Sequence, residues 1–232
     1  MKKIFLSLMI GFLVLGLATG CGKNNTTTNN PDTNNDINVN DTNQNNNLPE
    51  QITESLVRNY KVAPASDFEY EETEGGIQIK KYKGNDLIVV IPKSINGKPV
   101  VEVKSYIFAN DSNVKGVYFP ETIEKLKYTF TNNDDIQVVI AEGIEQILDM
   151  TFGNCKSLHT VVLDDSLQEL GYFAFTTLPN LKEVYISANM NKITEELEGS
   201  IFHECPNLTV KGKSGSTIET YTNKHNIRFE AI

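Results

Sequence analysis

The sequence predicts a solenoid of stacked repeats, each built on one short β-strand, and three observations carry that prediction. Phenylalanines recur at 108, 130, 152, 175 and 202, at spacings of 22, 22, 23 and 27 residues. Lining up those rings also aligns the apolar residues upstream of them in four consecutive units: Val114 with Val117–Phe119, Ile136 with Val138–Ile140, Leu158 with Val161–Leu163, and Leu181 with Val184–Ile186. A unit of 22 or 23 residues cannot bury these groups alone. Neighbours must therefore stack into one continuous core, with rungs roughly 4.8 Å apart.

The chain opens with Lys2 and Lys3, then an apolar run from Ile4 to Leu17 that is short for a membrane span. It ends in Leu17-Ala18-Thr19-Gly20-Cys21, which resembles the lipobox of bacterial lipoproteins, although Ala18 stands where that family more often has Leu. The resemblance implies that residues 1–20 are a signal peptide and that Cys21 is lipidated as the mature N-terminus. It also implies a protein held at the extracellular face of the cell membrane by its lipid. From Gly22 to Asn47 the sequence is almost wholly Asn, Thr and Asp, with twelve asparagines and almost nothing to bury. Residues 21–50 read as a disordered tether whose coil spans roughly 25–30 Å.

Residues 51–84 read as an N-terminal cap. Gln51 to Tyr60 suit a short helix with Ile52, Leu56 and Tyr60 on one side, ended before Pro64. Phe68 and Tyr70, then Ile77 and Ile79, alternate around Glu74-Gly75-Gly76, the pattern of a β-hairpin. The repeats fill residues 85–210. A weaker first copy runs through Val89-Val90-Ile91-Pro92, Val103 and Phe108, and a truncated last one keeps Asn207, Leu208 and Val210. In each unit the outer two residues of the β-branched triplet face one way, as strand alternation requires. A second apolar pair follows on the return path: Ile123 and Leu126, Ile144 and Ile147, Leu167 and Leu170, Met190 and Ile193. The fifth copy carries an insertion, Glu195 to Ser200, which predicts a projecting loop, either a neutral length change or a functional edge. Residues 211–232 read as a C-terminal cap. There Ser216-Thr217-Ile218-Glu219 fits a capping box opening a short helix, and Ile227 and Phe229 alternate as a closing strand.

The units resemble the BspA-type subclass of leucine-rich repeats, with Asn-Leu-x-x-Val-x-Ile-Pro, then Val-x-x-Ile, then Ala-Phe-x-x-Cys. Ala174-Phe175, Phe152-Gly153-Asn154-Cys155 and Phe202-His203-Glu204-Cys205 carry the last element. The position of Pro92 and Pro120 becomes Ala141, Asp164 and Ser187 in later copies. The resemblance covers roughly residue 67 to the end. It implies a leucine-rich-repeat solenoid, a right-handed superhelix of short parallel strands with irregular or short helical returns. It also implies a surface protein engaged in adhesion or protein–protein interaction.

The residues point to binding rather than catalysis. Without residues 1–20 the chain loses two of its 21 basic residues and none of its 30 acidic ones, for a net charge of −11. An acidic surface disfavours nucleic acid as a partner. Cys155 and Cys205 hold equivalent places two rungs apart, roughly 9–10 Å, too far for a disulfide, and are expected as buried free thiols. His159, His203 and His225 fall in different units, and no metal, cofactor, nucleophile or phosphate-loop pattern stands out. What the repeat offers is a surface. The middle residues of the triplets, Val90, Tyr118, Val139, Val162 and Tyr185, form an outward column beside Thr160 and Glu183. That column suits a stripe contacting a protein or other macromolecule, and equally suits the preferences of a strand. The sequence therefore reads as a lipid-anchored surface binding protein. A structural or assembly component of the envelope is the alternative, ahead of a transporter's ligand-binding lipoprotein or a cell-wall enzyme, which need a cleft or catalytic constellation.

Overall fold

A computed structural model describes residues 48–110, 112–186, 190, 192–193 and 201–232. The lipobox with Cys21, the Asn-rich segment up to residue 47 and the insertion at 195–200 lie outside the described residues. The N-terminal region holds α1 (Glu54–Arg58), a 3-10 turn at Ala65–Asp67, and an antiparallel hairpin of β1 (Phe68–Thr73) and β2 (Gly76–Tyr82). The first repeat supplies β3 (Ile88–Val90), then a second hairpin of β4 (Ser94–Ile95) and β5 (Lys98–Val103). Its Asn96-Gly97 turn has both residues at positive φ (50° and 76°), the geometry that lets two residues reverse a twisted pair.

From there the chain repeats a two-strand rung: β6 (Gly116–Phe119) then β7 (Lys125–Leu126), β8 (Val138–Ala141) then β9 (Gln146–Ile147), and β10 (Thr160–Leu163) then β11 (Glu169–Leu170). After β12 (Phe175–Thr176) come β13 (Glu183–Ile186), β14 (Lys192–Ile193), β15 (Phe202–His203) and β16 (Thr209–Gly212). The chain closes with α2 (Thr217–Lys224) and β17 (Arg228–Ala231). Parallel pairing assembles a seven-stranded main sheet, β17-β16-β13-β10-β8-β6-β3, and a four-stranded return sheet, β14-β11-β9-β7. The architecture is a parallel β-solenoid of about six turns. Among the described residues its returns hold extended and turn structure and no helix.

The phenylalanines form the spine of the core. Phe108, Phe130, Phe152, Phe175 and Phe202 stack in order, with successive centroids 4.9 to 5.6 Å apart. This is the rung spacing, at which offset stacking is favourable. Both caps join the spine: Tyr82 and Phe68 of the hairpin extend it at one end, and Tyr221 of α2 meets Phe202 at the other. Ser216 caps α2 by accepting from the Glu219 amide, which turns Ile218 and Tyr221 into the core.

Each turn around the spine is bonded to the next through its backbone. The amides of Tyr128, Phe130 and Asn132 donate to the carbonyls of Asp149, Thr151 and Gly153 at 3.1, 2.9 and 2.8 Å, and Met150, Phe152 and Asn154 repeat the pattern one rung on. The backbone is left-handed two residues before the first four rings, at Tyr106, Tyr128, Met150 and Phe173, and two residues after all five, at Asn110, Asn132, Asn154, Thr177 and Glu204. Three residues after Phe130, Phe152 and Phe202 a small polar side chain turns inward onto the previous rung. Asn133 donates to the Phe108 carbonyl (2.7 Å), the Cys155 thiol lies 3.1 Å from the Phe130 carbonyl, and the Cys205 thiol 3.6 Å from that of Phe175. Both cysteines are free thiols. Cys155 is buried as expected, whereas Cys205, near the C-terminal end, is only half-buried.

Candidate functional site

The outward face of the main sheet consists of two rows fixed by strand register. One row reads Ile88, Gly116, Val138, Thr160, Glu183, Thr209 and Arg228. The other reads Val90, Tyr118, Ile140, Val162, Tyr185, Lys211 and Glu230. Val90, Tyr118, Val162, Tyr185, Thr160 and Glu183 stand on this face as expected. Val139 does not. It pairs with Val117 and Val161, points into the core and is fully buried, while Ile140 takes the outward place. The run Val138-Val139-Ile140-Ala141 is apolar throughout, so a triplet slipped by one residue looks equally good, and a slip of one exchanges faces.

The expected exposed column is also corrected, because the chain covers much of it. Ile52, Val57 and Tyr60 are buried against Ile88, Val138, Ile140 and Val162, with Leu48, Leu56, Val90, Tyr118 and Tyr185 packed around them. This is a second apolar cluster, on the opposite side of the sheet from the Phe spine. Thr53 caps α1 by accepting from the Leu56 amide, so Ile52 stands directly before the cap. Ile52 and Val57 thereby flank the first turn as a hydrophobic staple, and Val57, in place of the expected Leu56, is the helical residue fully buried.

Gly116 makes the docking possible: a Cβ there would lie 2.7 Å from Val57 Cγ2 and 3.4 Å from Ile52 Cγ2. The segment is also bonded in place. The Ile52 amide donates to Gln137 Oε1 (2.7 Å), and Gln137 Nε2 donates to the Glu50 carbonyl (3.1 Å). Arg58 pairs with Glu142 at 2.7 Å, and the Tyr118 hydroxyl donates to the other Glu142 oxygen at 3.2 Å. The hydrogen bond to Glu142 is the main reason the Arg58 pKa rises, and burial followed by the Glu142 charge raises that of Tyr118. Where the chain leaves α1, Val62 bridges to Val90 and covers the edge of β3.

Beyond β10 the face is more open and its chemistry changes. The Tyr185 hydroxyl donates to Glu183 (2.8 Å), Lys211 pairs with Glu183 (2.7 Å) and sits 5.3 Å from the Tyr185 ring centroid, and Arg228 and Glu230 are exposed on the last strand. Hydrogen bonds from Lys211 and then Tyr185 hold the Glu183 carboxyl below its usual pKa. Thr160 bonds the His159 ring (2.9 Å), whose pKa is depressed first by burial and then by Lys182. Among the described residues no group of three or more His, Cys, Asp or Glu side chains could hold a metal ion. Among them, too, no helix is long and apolar enough to cross a membrane.

The family model of the BspA-type leucine-rich repeat region matches residues 89–209 in six copies. Among solved structures, a leucine-rich repeat protein of T. pallidum is 29% identical, with a TM-score of 0.58 over 65% of this chain and 71% of that one. A leucine-rich repeat protein from Bacteroides ovatus is 18% identical, with a TM-score of 0.49 over 66% of this chain and 47% of that one. No curated protein matches the chain.

Proposed function

Because the chain belongs to the family of BspA-type leucine-rich repeat proteins, we propose that it binds another macromolecule, most simply a protein, through the part of its sheet face that the N-terminal segment leaves open. In this reading a lipid on Cys21 holds it at the outer face of the cell membrane and the Asn-rich segment is its tether. The observation that carries the proposal is the patch on β10, β13, β16 and β17. Tyr185 lies at its centre, half-buried between Val162 and Lys211, and Glu183, Arg228 and Glu230 surround it with both signs of charge. A tyrosine within a polar rim is the usual anatomy of a protein-binding hot spot.

Adhesion is the role we favour, and capture with the intact protein tests it. Partner recovered from host matrix or neighbouring cells should fall at least about tenfold with Tyr185→Ala and Lys211→Ala together. Capture that both substitutions leave unchanged refutes the patch, and partners confined to the producing cell's own envelope replace adhesion with assembly. For the anchor, Cys21→Ser should release the protein from the membrane fraction, and protection of the repeats from protease on intact cells refutes surface display.

A further inference from the structure

The segment docked on the sheet face is a separable piece. Its contacts form an apolar cluster of their own, on the other side of the strands from the Phe spine, and the two clusters share no residue. It can therefore lift without opening the core of the repeats, and local openings of this kind cost less than global unfolding. The polar groups trapped beneath it help decide how often it lifts.

One of those groups is a histidine. Gln137 and His159 hold equivalent places on successive rungs, and the His159 amide donates to the Gln137 carbonyl at 3.0 Å. Gln137 is spent on the segment, accepting from the Ile52 amide and donating to the Glu50 carbonyl. The His159 ring lies beside it, against the Ile52 backbone. Its Nδ1 is 2.9 Å from the Thr160 hydroxyl, whereas its Nε2 is shut off from solvent and has no hydrogen-bond partner among the described residues. A neutral imidazole tolerates that place at modest cost. An imidazolium does not, because both nitrogens must then donate, one of them has neither water nor an acceptor, and a full charge has lost its hydration.

The groups around the ring do not relieve that charge. The next rung supplies Lys182, whose amide donates to the His159 carbonyl at 3.1 Å and whose like charge opposes protonation. The previous rung supplies the uncharged Gln137, and the ring's own strand supplies Thr160. The segment supplies the Ile52 backbone, which favours the charged ring but weighs less than burial and Lys182. The segment's acids on either side of Ile52 are Glu50 and Glu54, and Glu54 is paired with Arg58 at 2.7 Å.

We propose that His159 makes the docked segment a pH-sensitive strap, closed over the sheet while the ring is neutral and released when it is protonated. Release gives both ring nitrogens to water and bares Ile140 and Val162. The ring's pKa is lower with the strap closed than when it is free, so the closed form binds fewer protons. Docking is thus at full strength above the free-ring value of about 6.5 and is lost as pH falls toward the closed-state value. The strap is closed by the chain's own residues, so the proposal stands whatever the open patch binds.

The test is amide exchange followed by NMR on the full-length protein between pH 7.5 and 5.5, corrected for the intrinsic pH dependence of exchange. Opening at Ile52–Tyr60 should rise about threefold or more across that range, and by no more than about tenfold per pH unit, since one proton is taken up. The amides of Phe130 and Phe152, bonded from rung to rung, should hold their protection. His159→Gln should keep the strap closed and remove the pH dependence, and Lys182→Gln should make that dependence shallower. The proposal is overturned if opening stays flat or falls with acid, as it would if Glu50 captured the imidazolium. It is equally overturned if the spine amides open in step with the strap, or if folded His159→Gln protein keeps the parent's pH dependence.

Discussion

Replacing Gly116 with Ala perturbs the docked N-terminal segment at one point and leaves the repeats otherwise intact. The added Cβ meets Val57 Cγ2 at 2.7 Å, whereas carbon atoms rest at about 3.5–4.0 Å, so the staple must rise by roughly 1 Å. Val57 is β-branched and held on a five-residue helix, so the whole segment moves with it. A shift of that size strains the Ile52–Gln137 hydrogen bond and the Arg58–Glu142 pair, both at 2.7 Å. Overpacking of this kind costs about 1–3 kcal/mol, and removing a strand glycine returns about 0.5–1 kcal/mol. The net loss is about 1–2 kcal/mol, or roughly 2–8 °C in melting temperature for a domain of this size. Hydrogen exchange should place the loss at Ile52–Tyr60 and the outward side of β6, with the Phe spine unaffected. Val57→Ala alone also destabilises, but combined with Gly116→Ala it should give a favourable coupling, because the methyl groups in conflict are gone. A Gly116→Ala protein at least as stable as the parent, with exchange at Ile52–Tyr60 unchanged, would refute the reasoning.

Phe152→Ala interrupts the ring stack between Phe130 and Phe175 and should cost about 3–5 kcal/mol, splitting a single melting transition into two. Tyr60 is buried with no hydrogen-bond partner for its hydroxyl among the described residues, and burial followed by the Asp86 charge pushes its pKa up to about 12. A folded pKa raised above the unfolded value of about 10 means stability present below pH 10 and lost as pH rises toward 12. Exchange at residues 52–60 should accelerate in that window, and Tyr60→Phe should stabilise by about 1 kcal/mol and weaken the pH dependence. With Cys21 replaced by Ser, the denatured protein should titrate two thiols without reductant. In the native protein Cys155, whose thiol burial pushes up to about 12, should react far more slowly than in the denatured chain. A reductant-dependent thiol count would contradict the free-cysteine assignment.

The fold was legible because its physics is periodic: every rung repeats the same inward residues, so five phenylalanines fix the core whatever the local detail. The hairpin of β1 and β2, the capped α2 and the closing strand were equally legible, each having a local signal of turn, cap or alternation. The second hairpin has one too, since Asn96-Gly97 between Ile95 and Val100 is a strong reversal signal, set within the weakest repeat. The inward place of Val139 is legible as well. Ile136 precedes Val139 by three residues, as Val114 precedes Val117, and that spacing locates the inward position where the triplet cannot. The docking of residues 48–60 is a different matter. Ile52 and Val57 around Thr53 announce a staple, but which surface receives it depends on a glycine far along the chain, and a single glycine at a strand start carries no signal of its partner.

The docked segment changes what the apolar column means. Along the second row the residues are Val90, Tyr118, Ile140 and Val162 where the segment lies, then Tyr185, Lys211 and Glu230 beyond it. Hydrophobicity thus tracks intramolecular burial: Ile140 is fully buried and Val162 is 8% exposed, and no external partner is needed to account for either. A partner seated on the open part meets one aromatic ring among opposed charges. Its encounter rate should therefore depend on ionic strength, whereas the docking of Val57 onto Gly116 should not. Salt titration of partner capture and of exchange at residues 52–60 separates the two contacts. A patch indifferent to salt would indicate that the partner reaches the covered apolar row instead, by displacing the segment.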